Sequence, residues 1–532
     1  MHRSNSHPLI TTPGPARTLA VLGLAVLAIL FTCSTAAAEQ APSFTEAAKL
    51  IAADGDSSDD FGYAVAIDGD TMVVGAIGDD DLGSASGSAY VFERQGFFNT
   101  WSQVAKLLAD DGDSGDDFGL AVGISGDWII VGAPENDDIA SNAGAAYIFE
   151  RDTGGFNNWG LVTKVLADDG QVGDRFGSSV DIDGERAIVG APEDDDLGLA
   201  SGSAYILERD VGGPSNWGVQ AKLLAEDGEF LDGFGWSVGL EGQWAIVGAS
   251  PADAAYIRQR DEGGVDNWGE VAKLSQAGAE GSGYAVDIFG DIAVVGAYLD
   301  NGESGSVGVF QRDKGGPDNW GIVKGLIALD GADDDRFGIS VSISGDTVAV
   351  GAYLDDDDGS GSGSAYVFRR NAGGPDNWGK IAKTVANDGA SFDYFGWDVA
   401  IDADTLAIGA YLDDDNGASS GSAYIFDEIT VDPALVVTGN CPGEVTFNYT
   451  GATPLGQAAL GYSQQQGDAP IPGGLCAGTE TGLDVVNLLG IIPIDENGEI
   501  TLDASLPFFV CNLQLQAVDL VSCATSNVTS LP

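Results

Sequence analysis

The side chains with the most chemical potential in this sequence are aspartates, and they cluster at recurring positions. One set consists of runs: Asp79, Asp80 and Asp81; Asp194, Asp195 and Asp196; Asp355, Asp356, Asp357 and Asp358; Asp413, Asp414 and Asp415. A second set is more widely spaced: Asp54, Asp56, Asp59 and Asp60; Asp110, Asp111, Asp113, Asp116 and Asp117; Asp330, Asp333, Asp334 and Asp335. Two carboxylates about 6 Å apart repel by roughly 0.7 kcal/mol even in water, so dozens on one surface favour cation uptake. Hard oxygen donors suit Ca²⁺, and the expectation is several weak sites of about 10⁻⁴ to 10⁻³ M. The competing reading is that these are solvated turn residues. Paired carboxylates also run glycoside hydrolysis. A catalytic pair should however be unique, asymmetric and central, whereas these acids recur along the chain, so the expectation is a protein that is not an enzyme.

Histidine narrows the chemistry further. Both copies, His2 and His7, lie in the first seven residues, ahead of an expected cleavage site, which removes His-dependent triads and His-ligated zinc, copper or iron from the mature chain. Any metal must be held by oxygen. With 82 acidic against 22 basic residues the formal net charge is -60, so nucleic acid and anionic membrane surfaces are excluded as partners: no basic stripe exists to release counterions. The acidity itself is otherwise a solvated coat suited to salty surroundings.

The elements that must position the aspartates repeat seven times. Phe61-Gly62, Phe118-Gly119, Phe176-Gly177, Phe234-Gly235, Ser282-Gly283, Phe337-Gly338 and Phe395-Gly396 fall in register, at steps of about 57, 58, 58, 48, 55 and 58 residues. Each unit holds four short β-like runs, in the first FGYAVAI, TMVVGA, SAYVFER and WSQVAKLLA. They are rich in Val, Ile, Tyr and Phe, are bounded by Gly and Asp, and none reaches helix length. Four strands repeated seven times predict an all-β fold, a seven-bladed β-propeller. The segment TEAAKLIAADG (45–55) matches the fourth run, while the last unit stops after its third at GSAYIFDE (421–428). The N-terminal strand is therefore expected to complete the last blade and to protect edges that invite aggregation.

Phe-Gly early in each unit, with Gly132-Ala133-Pro134 and Gly190-Ala191-Pro192 later in it, resembles the FG-GAP repeats of the integrin α-subunit propeller and of secreted bacterial proteins. The resemblance covers about residues 43–428 and implies extracellular binding, adhesion or display. Integrin-type repeats carry a calcium loop between the Phe-Gly and Gly-Ala-Pro strands. Here that connection is only Asp68-Gly69-Asp70, Ser125-Gly126-Asp127 and their equivalents, a hairpin turn too short to surround a cation needing six to eight oxygens. The family's calcium residues do not carry over.

Alternating strand direction sorts the loops between two faces. The short x-Gly-Asp turns and the loops bearing Trp101, Trp159, Trp217, Trp268, Trp320 and Trp378 share one face; both aspartate sets share the other. The strict Asn-Trp-Gly context of most of these tryptophans points to packing instead of sugar stacking. The fourth unit breaks the symmetry. It has only SPADA (250–254) in place of the long acidic loop, and the following loop, 276–280, is also poor in acid. Both shortened loops lie on the acidic face, so a notch is expected there, with Pro251, Asp253, Ala279 and Glu280 as candidate partner-binding residues.

Residues 1–38 read as an export signal, with Arg3 and Arg17, the apolar stretch 19–31, and a small-residue run ending at Ala38. Thirteen apolar residues are short for a membrane span. Cys33 raises a lipoprotein alternative, but Thr32 precedes it where bacterial lipoprotein signals carry Gly, Ala or Ser. Residues 433–532 have a different texture, several short strands that suggest a small β-sandwich-like module. Its Cys441, Cys476, Cys511 and Cys523 suggest two disulfides in an exported protein; three connectivities are open, and proximity favours Cys441 with Cys476 and Cys511 with Cys523. The expectation is a secreted or cell-surface binding or adhesion protein that meets an extracellular protein or carbohydrate through an acidic face holding Ca²⁺. The alternatives are a surface-coat protein bridged by calcium and a carboxylate-dependent enzyme acting on glycans.

Overall fold

A computed structural model describes residues 43–429, apart from 96–99, 154, 156–157, 212, 214 and 317–318, together with seven strands of the C-terminal module. The leader (1–38) and all four module cysteines lie outside the described residues, as does Cys33.

Each Phe-Gly unit forms one four-stranded antiparallel sheet. In the first blade the strands are Phe61–Asp68, Thr71–Ala76, Ser88–Gln95 and Thr100–Leu107, in that order. The second strand is buried along its whole length in five blades and from its second residue on in blades 3 and 4, which is why TMVVGA and its relatives read as near-continuous apolar runs and not as alternation. The fourth strand is half-exposed and forms the outer edge. The first strands of all seven blades neighbour one another around a central channel. The last sheet takes its fourth strand from the other end of the sequence: Ser43–Leu50 pairs antiparallel with Ser422–Ile429, from Ser43 opposite Ile429 to Leu50 opposite Ala423. The fold is thus the all-β seven-bladed propeller expected from the repeat.

The signature glycines are explained by contact between blades. Gly119 has φ +98°, and a Cβ there would lie 2.3 Å from the Ser88 carbonyl oxygen; a Cβ on Gly75 would lie 1.9 Å from the Gly119 carbonyl oxygen. The two motif glycines of adjacent blades therefore meet backbone to backbone, where no side chain fits. The preceding Phe residues are fully buried and pack edge-on to the Tyr of the third strand, as Phe61 does on Tyr90 at 5.4 Å. Such T-shaped contacts add about 0.5–1.5 kcal/mol to the area they bury.

The x-Gly-Asp turns act as inter-blade ties. Gly69, Gly126, Gly184 and Gly242 have φ between +56° and +58°, as a tight hairpin requires. The amide of Gly69 donates to Asp402 Oδ2 (2.8 Å), that of Gly126 to Asp68 Oδ2 (2.5 Å) and that of Gly242 to Asp183 Oδ2 (2.6 Å), each on the neighbouring blade. One exposed hydrogen bond to a charged acceptor sets the scale, so Asp402→Ala should lower stability by about 1 kcal/mol. A urea midpoint unchanged from wild type would show that the tie contributes nothing.

The C-terminal module contains a three-stranded sheet (Ala434–Gly439, Gly443–Thr450, Ile500–Leu506) and a four-stranded sheet (Asn487–Pro493, Gln457–Ser463, Gln514–Asp519, Thr529–Ser530). No helix among the described residues is long and apolar enough to cross a membrane.

Candidate functional site

The two aspartate sets do converge on one face, and what they converge on is lysine. In blade 1, Lys106 on the fourth strand places Nζ 2.9 Å from Asp54, 2.7 Å from Asp79 and 2.7 Å from Asp81. Asp54 comes from the connection entering the blade, and Asp79 and Asp81 from the loop between the second and third strands. The same node recurs as Lys222 with Asp169, Asp194 and Asp196 (2.7 Å each), as Lys383 with Asp330, Asp355 and Asp357, and as Lys49 with Asp388, Asp413 and Asp415. Lys49 belongs to the N-terminal strand, so the ring closure also completes the seventh node.

The inner aspartate of each node is buried and fully used. Asp79 Oδ1 accepts the Asp81 amide, and its Oδ2 accepts from the Tyr90 hydroxyl (2.7 Å) and Lys106 (2.7 Å). Asp194, Asp355 and Asp413 repeat this pattern. The ammonium also lies about 5 Å from the Tyr ring centroid, 5.1 Å for Lys106 over Tyr90 and 5.2 Å for Lys222 over Tyr205, a cation–π geometry. Burial alone would raise the Asp79 carboxyl, but Lys106, Tyr90 and the Asp81 amide outweigh it and hold it below the usual range. Burial likewise works against the charged forms of Lys49, Lys106, Lys222 and Lys383, yet their carboxylates push all four up.

The node thins in a definite order. Blade 2 has Asn136 at the inner position and keeps Lys164 on Asp111 (2.9 Å) and Asp138 (2.6 Å). Blade 4 has only Lys273 on Asp227. In blade 5 the Tyr and Lys positions are both glycine, Gly308 opposite Gly325 where blade 3 pairs Tyr205 with Lys222, and the interblade acid is missing: the Ala279 amide donates to the Gln276 carbonyl as the Gly228 amide does to that of Ala225, which puts Gly278 in the place of Asp227. Tyr and Lys disappear together there, while Asp300 keeps the inner place and accepts the Ser306 hydroxyl at Oδ2 (2.6 Å), as Asp194 accepts that of Ser203.

The remaining aspartates have other duties. Asp59, Asp116 and Asp335 are buried and accept the amides of residues 56, 113 and 332, three positions earlier, folding the interblade loop. Asp60 and Asp117 have positive φ just before Phe-Gly, and burial pushes their carboxyls up to about 6. Asp56, Asp80, Asp110, Asp113, Asp195, Asp333, Asp334, Asp356, Asp358 and Asp414 face solvent. Among the described residues no group of three or more His, Cys, Asp or Glu is arranged to hold a metal ion. A calcium ion would have to displace a lysine to reach the inner oxygens, so the donor set does not fit calcium as it stands. The sequence signal was a single lysine recurring in AKL-like fourth strands, at Lys106, Lys222 and Lys273 among others, in a chain with few cations.

The notch in the rim is present. Pro251, Asp253 and Glu280 line a cavity of about 460 Å³ together with Trp236, Ser250, Gly281, Tyr284, Tyr298 and Leu299. Ala279 is buried and does not line it. Asp253, at φ +51°, accepts the Gly281 amide (2.6 Å) and so ties the two shortened loops together. Its aromatic wall lies outside the expected residues. Trp236 and Tyr284 follow the Phe-Gly and Ser-Gly pairs of blades 4 and 5, with centroids 5.5 Å apart, and Tyr284 and Tyr298 are 4.4 Å apart. The loop tryptophans, by contrast, are packing residues: Trp159, Trp217, Trp268, Trp320 and Trp378 are all buried.

The channel behind the notch, about 530 Å³, carries three further carboxylates, Asp181 and Asp287 on first strands and Asp398 immediately before one. Each accepts its neighbour's amide at Oδ1 and an amide of the next blade at Oδ2: Leu240 for Asp181 (2.6 Å), Ile343 for Asp287 (2.7 Å) and Val65 for Asp398 (2.8 Å). They are central, but both oxygens of each are committed to holding blades together.

These features define a seven-bladed β-propeller whose acidic rim is partly countered by internal lysines and is interrupted at the junction of blades 4 and 5. Six segments, 44–92, 101–149, 159–207, 217–265, 320–368 and 378–426, match the FG-GAP repeat model, and the chain belongs to that family. The unit passed over, between 265 and 320, contains blade 5, which has lost its Phe-Gly phenylalanine and its lysine node. No curated protein matches the chain. Among solved structures it is similar to Sqt1 of Saccharomyces cerevisiae, at 11% identity, a TM-score of 0.39, and coverage of 78% of this chain and 97% of that one.

Proposed function

We propose that this is a secreted or cell-surface binding and adhesion protein, without enzymatic activity, that engages an extracellular protein or carbohydrate through the rim face of its propeller. The observation that supports this most is the break in symmetry. Elsewhere the rim carries long acidic loops with lysine-bound and solvent-facing aspartates, whereas the junction of blades 4 and 5 has short loops, an aromatic wall and an open cavity. Pockets of this kind, mostly apolar with a few polar groups, are the usual form of recognition sites. The leader, the four module cysteines and the family's prevalence in extracellular display are consistent with export. Calcium has no part in holding the face together in this reading, since lysine supplies the counter-charge.

The test is retention of a partner from cell-envelope extract by the immobilised full chain, with calcium and with chelator. A second chain has residues 250–253 replaced by DDDLGSASG, the acidic loop of blade 1. Wild type is expected to retain a partner in both conditions and the filled-notch chain to lose it. Equal retention by both chains would place recognition elsewhere; turnover in a glycan hydrolysis screen would overturn the non-enzymatic reading.

A further inference from the structure

The notch does not stand alone. The connection from blade 3 to blade 4 runs directly beside it: a Cβ on Gly233 would lie 3.1 Å from the Pro251 ring and 4.0 Å from Trp236. That connection carries Phe230 and Leu231, and the Leu231 amide donates to the Leu199 carbonyl (3.0 Å), bringing in the blade 3 loop with Leu197 and Leu199. Leu197, Leu199, Phe230, Leu231 and Trp236 are between 40% and 62% exposed. Scattered exposed apolar residues need no explanation, but a contiguous apolar strip bordered by charge marks an interaction surface.

The cavity beside the strip has an uncompensated character. It is lined by two acids, Asp253 and Glu280, and three aromatic rings, with no lysine or arginine in its lining. Elsewhere on the rim this chain shows what carboxylates beside a tyrosine ring accept: Lys273 lies 4.9 Å from the Tyr256 centroid and 2.8 Å from Asp227. At the edge of the notch, Arg336, paired with Glu303, lies 5.5 Å from the centroid of Tyr298. An anionic guest is repelled by a chain of net charge -60.

We infer that the notch and strip form one docking surface for a protein partner, which lays a lysyl or arginyl side chain against the paired rings of Trp236 and Tyr284, within reach of the acids Asp253 and Glu280, and flanking aliphatic side chains on Leu199, Phe230 and Leu231. Aromatic anchors in a desolvated pocket beside apolar contacts are the usual centre of such interfaces. The inference rests on the binding reading above and adds the chemical class of the partner and the residues that meet it.

The experiment is selection of random heptapeptides on the immobilised full chain, followed by measurement of Kd for the enriched peptides. Peptides with Lys or Arg beside Leu, Ile or Phe are expected, binding at least tenfold more weakly to both Trp236→Ala and Glu280→Gln. Glu280 is exposed, so its variant keeps the test valid where Trp236→Ala melts early. Enriched peptides without a basic residue, equal binding by both variants, or no enrichment would overturn the inference. Trp236-dependent binding of neutral oligosaccharides on an array in place of peptides would overturn it in favour of a sugar. Envelope retention that survives Trp236→Ala would leave the binding function standing and remove this site from it.

Discussion

Lys222→Met is expected to destabilise the propeller by about 2–4 kcal/mol. Removing one partner of a buried ion pair costs about 3–5 kcal/mol because it strands the other charge, and solvent access at the rim reduces this. Asp194 is 3% exposed and would face Asp169 and Asp196 without a cation. Methionine keeps the aliphatic stem and its contact with the Tyr205 ring, so the loss reports the charge. For a ring of this size the melting temperature should fall by several degrees. Adding Asp194→Asn to the same chain should recover part of the loss, because the two changes remove one interaction twice. Millimolar calcium should stabilise Lys222→Met, where the oxygens are released, and leave wild type unchanged. A variant melting with wild type would show that the node is not needed.

Stability should peak near pH 5 and decline on both sides. Burial pushes Asp181, Asp287 and Asp398 up to about 8, 6 and 7. A carboxyl that is harder to ionise in the folded ring than in the unfolded chain holds its proton on folding, so its contribution is lost as pH rises from about 4 through those values. Together the three should cost several kcal/mol between pH 5 and pH 8, and self-repulsion of the acidic chain acts in the same direction. The acid limb has the opposite origin. Asp79, Asp169 and Asp388 are held below the usual carboxylate range, against burial, by their lysines and tyrosines, so the stability they give is lost as pH falls below about 4. Calorimetric melting at pH 3.5, 5 and 8 should show the peak, and Asp398→Asn should flatten the alkaline limb. A maximum at or above pH 7 would contradict this account.

The architecture was legible because a packing repeat writes itself into sequence seven times. Gly62 and Gly75 are fixed by contacts that every blade makes, and Phe61 by one that six of the seven make. The notch was legible from loop length at 250–254, since a missing loop leaves a gap wherever the fold places it. The counter-cation was harder to see: an isolated lysine in AKL reads as a half-exposed strand residue, and only the fold brings it under aspartates about 27 and 52 positions earlier, as with Lys106. Trp236 and Tyr284 went unnoticed for the opposite reason. They occupy positions where the units differ, and alignment by resemblance directs attention away from such positions. Asp181, Asp287 and Asp398 were hidden in or beside strands, while loop aspartates drew the metal chemistry.

The pairing of Ser43–Leu50 with Ser422–Ile429 has a consequence for the order in which the molecule comes into being. The strand that completes the seventh blade is synthesised before any blade and finds its partner only after all of them. Every other ladder of the propeller joins strands adjacent in sequence and forms quickly, but this one must close a loop of nearly the whole ring, a contact of high order that forms late. Until then the nascent chain is an open arc with two unsatisfied edges, the state most exposed to pairing with another copy. The half-finished rim has one lysine too few at the seventh node as well, because Lys49 arrives with the strand that closes it. Closure therefore joins the edges and supplies the last counter-charge in a single step, which gives a chain of this length an all-or-none final stage of folding.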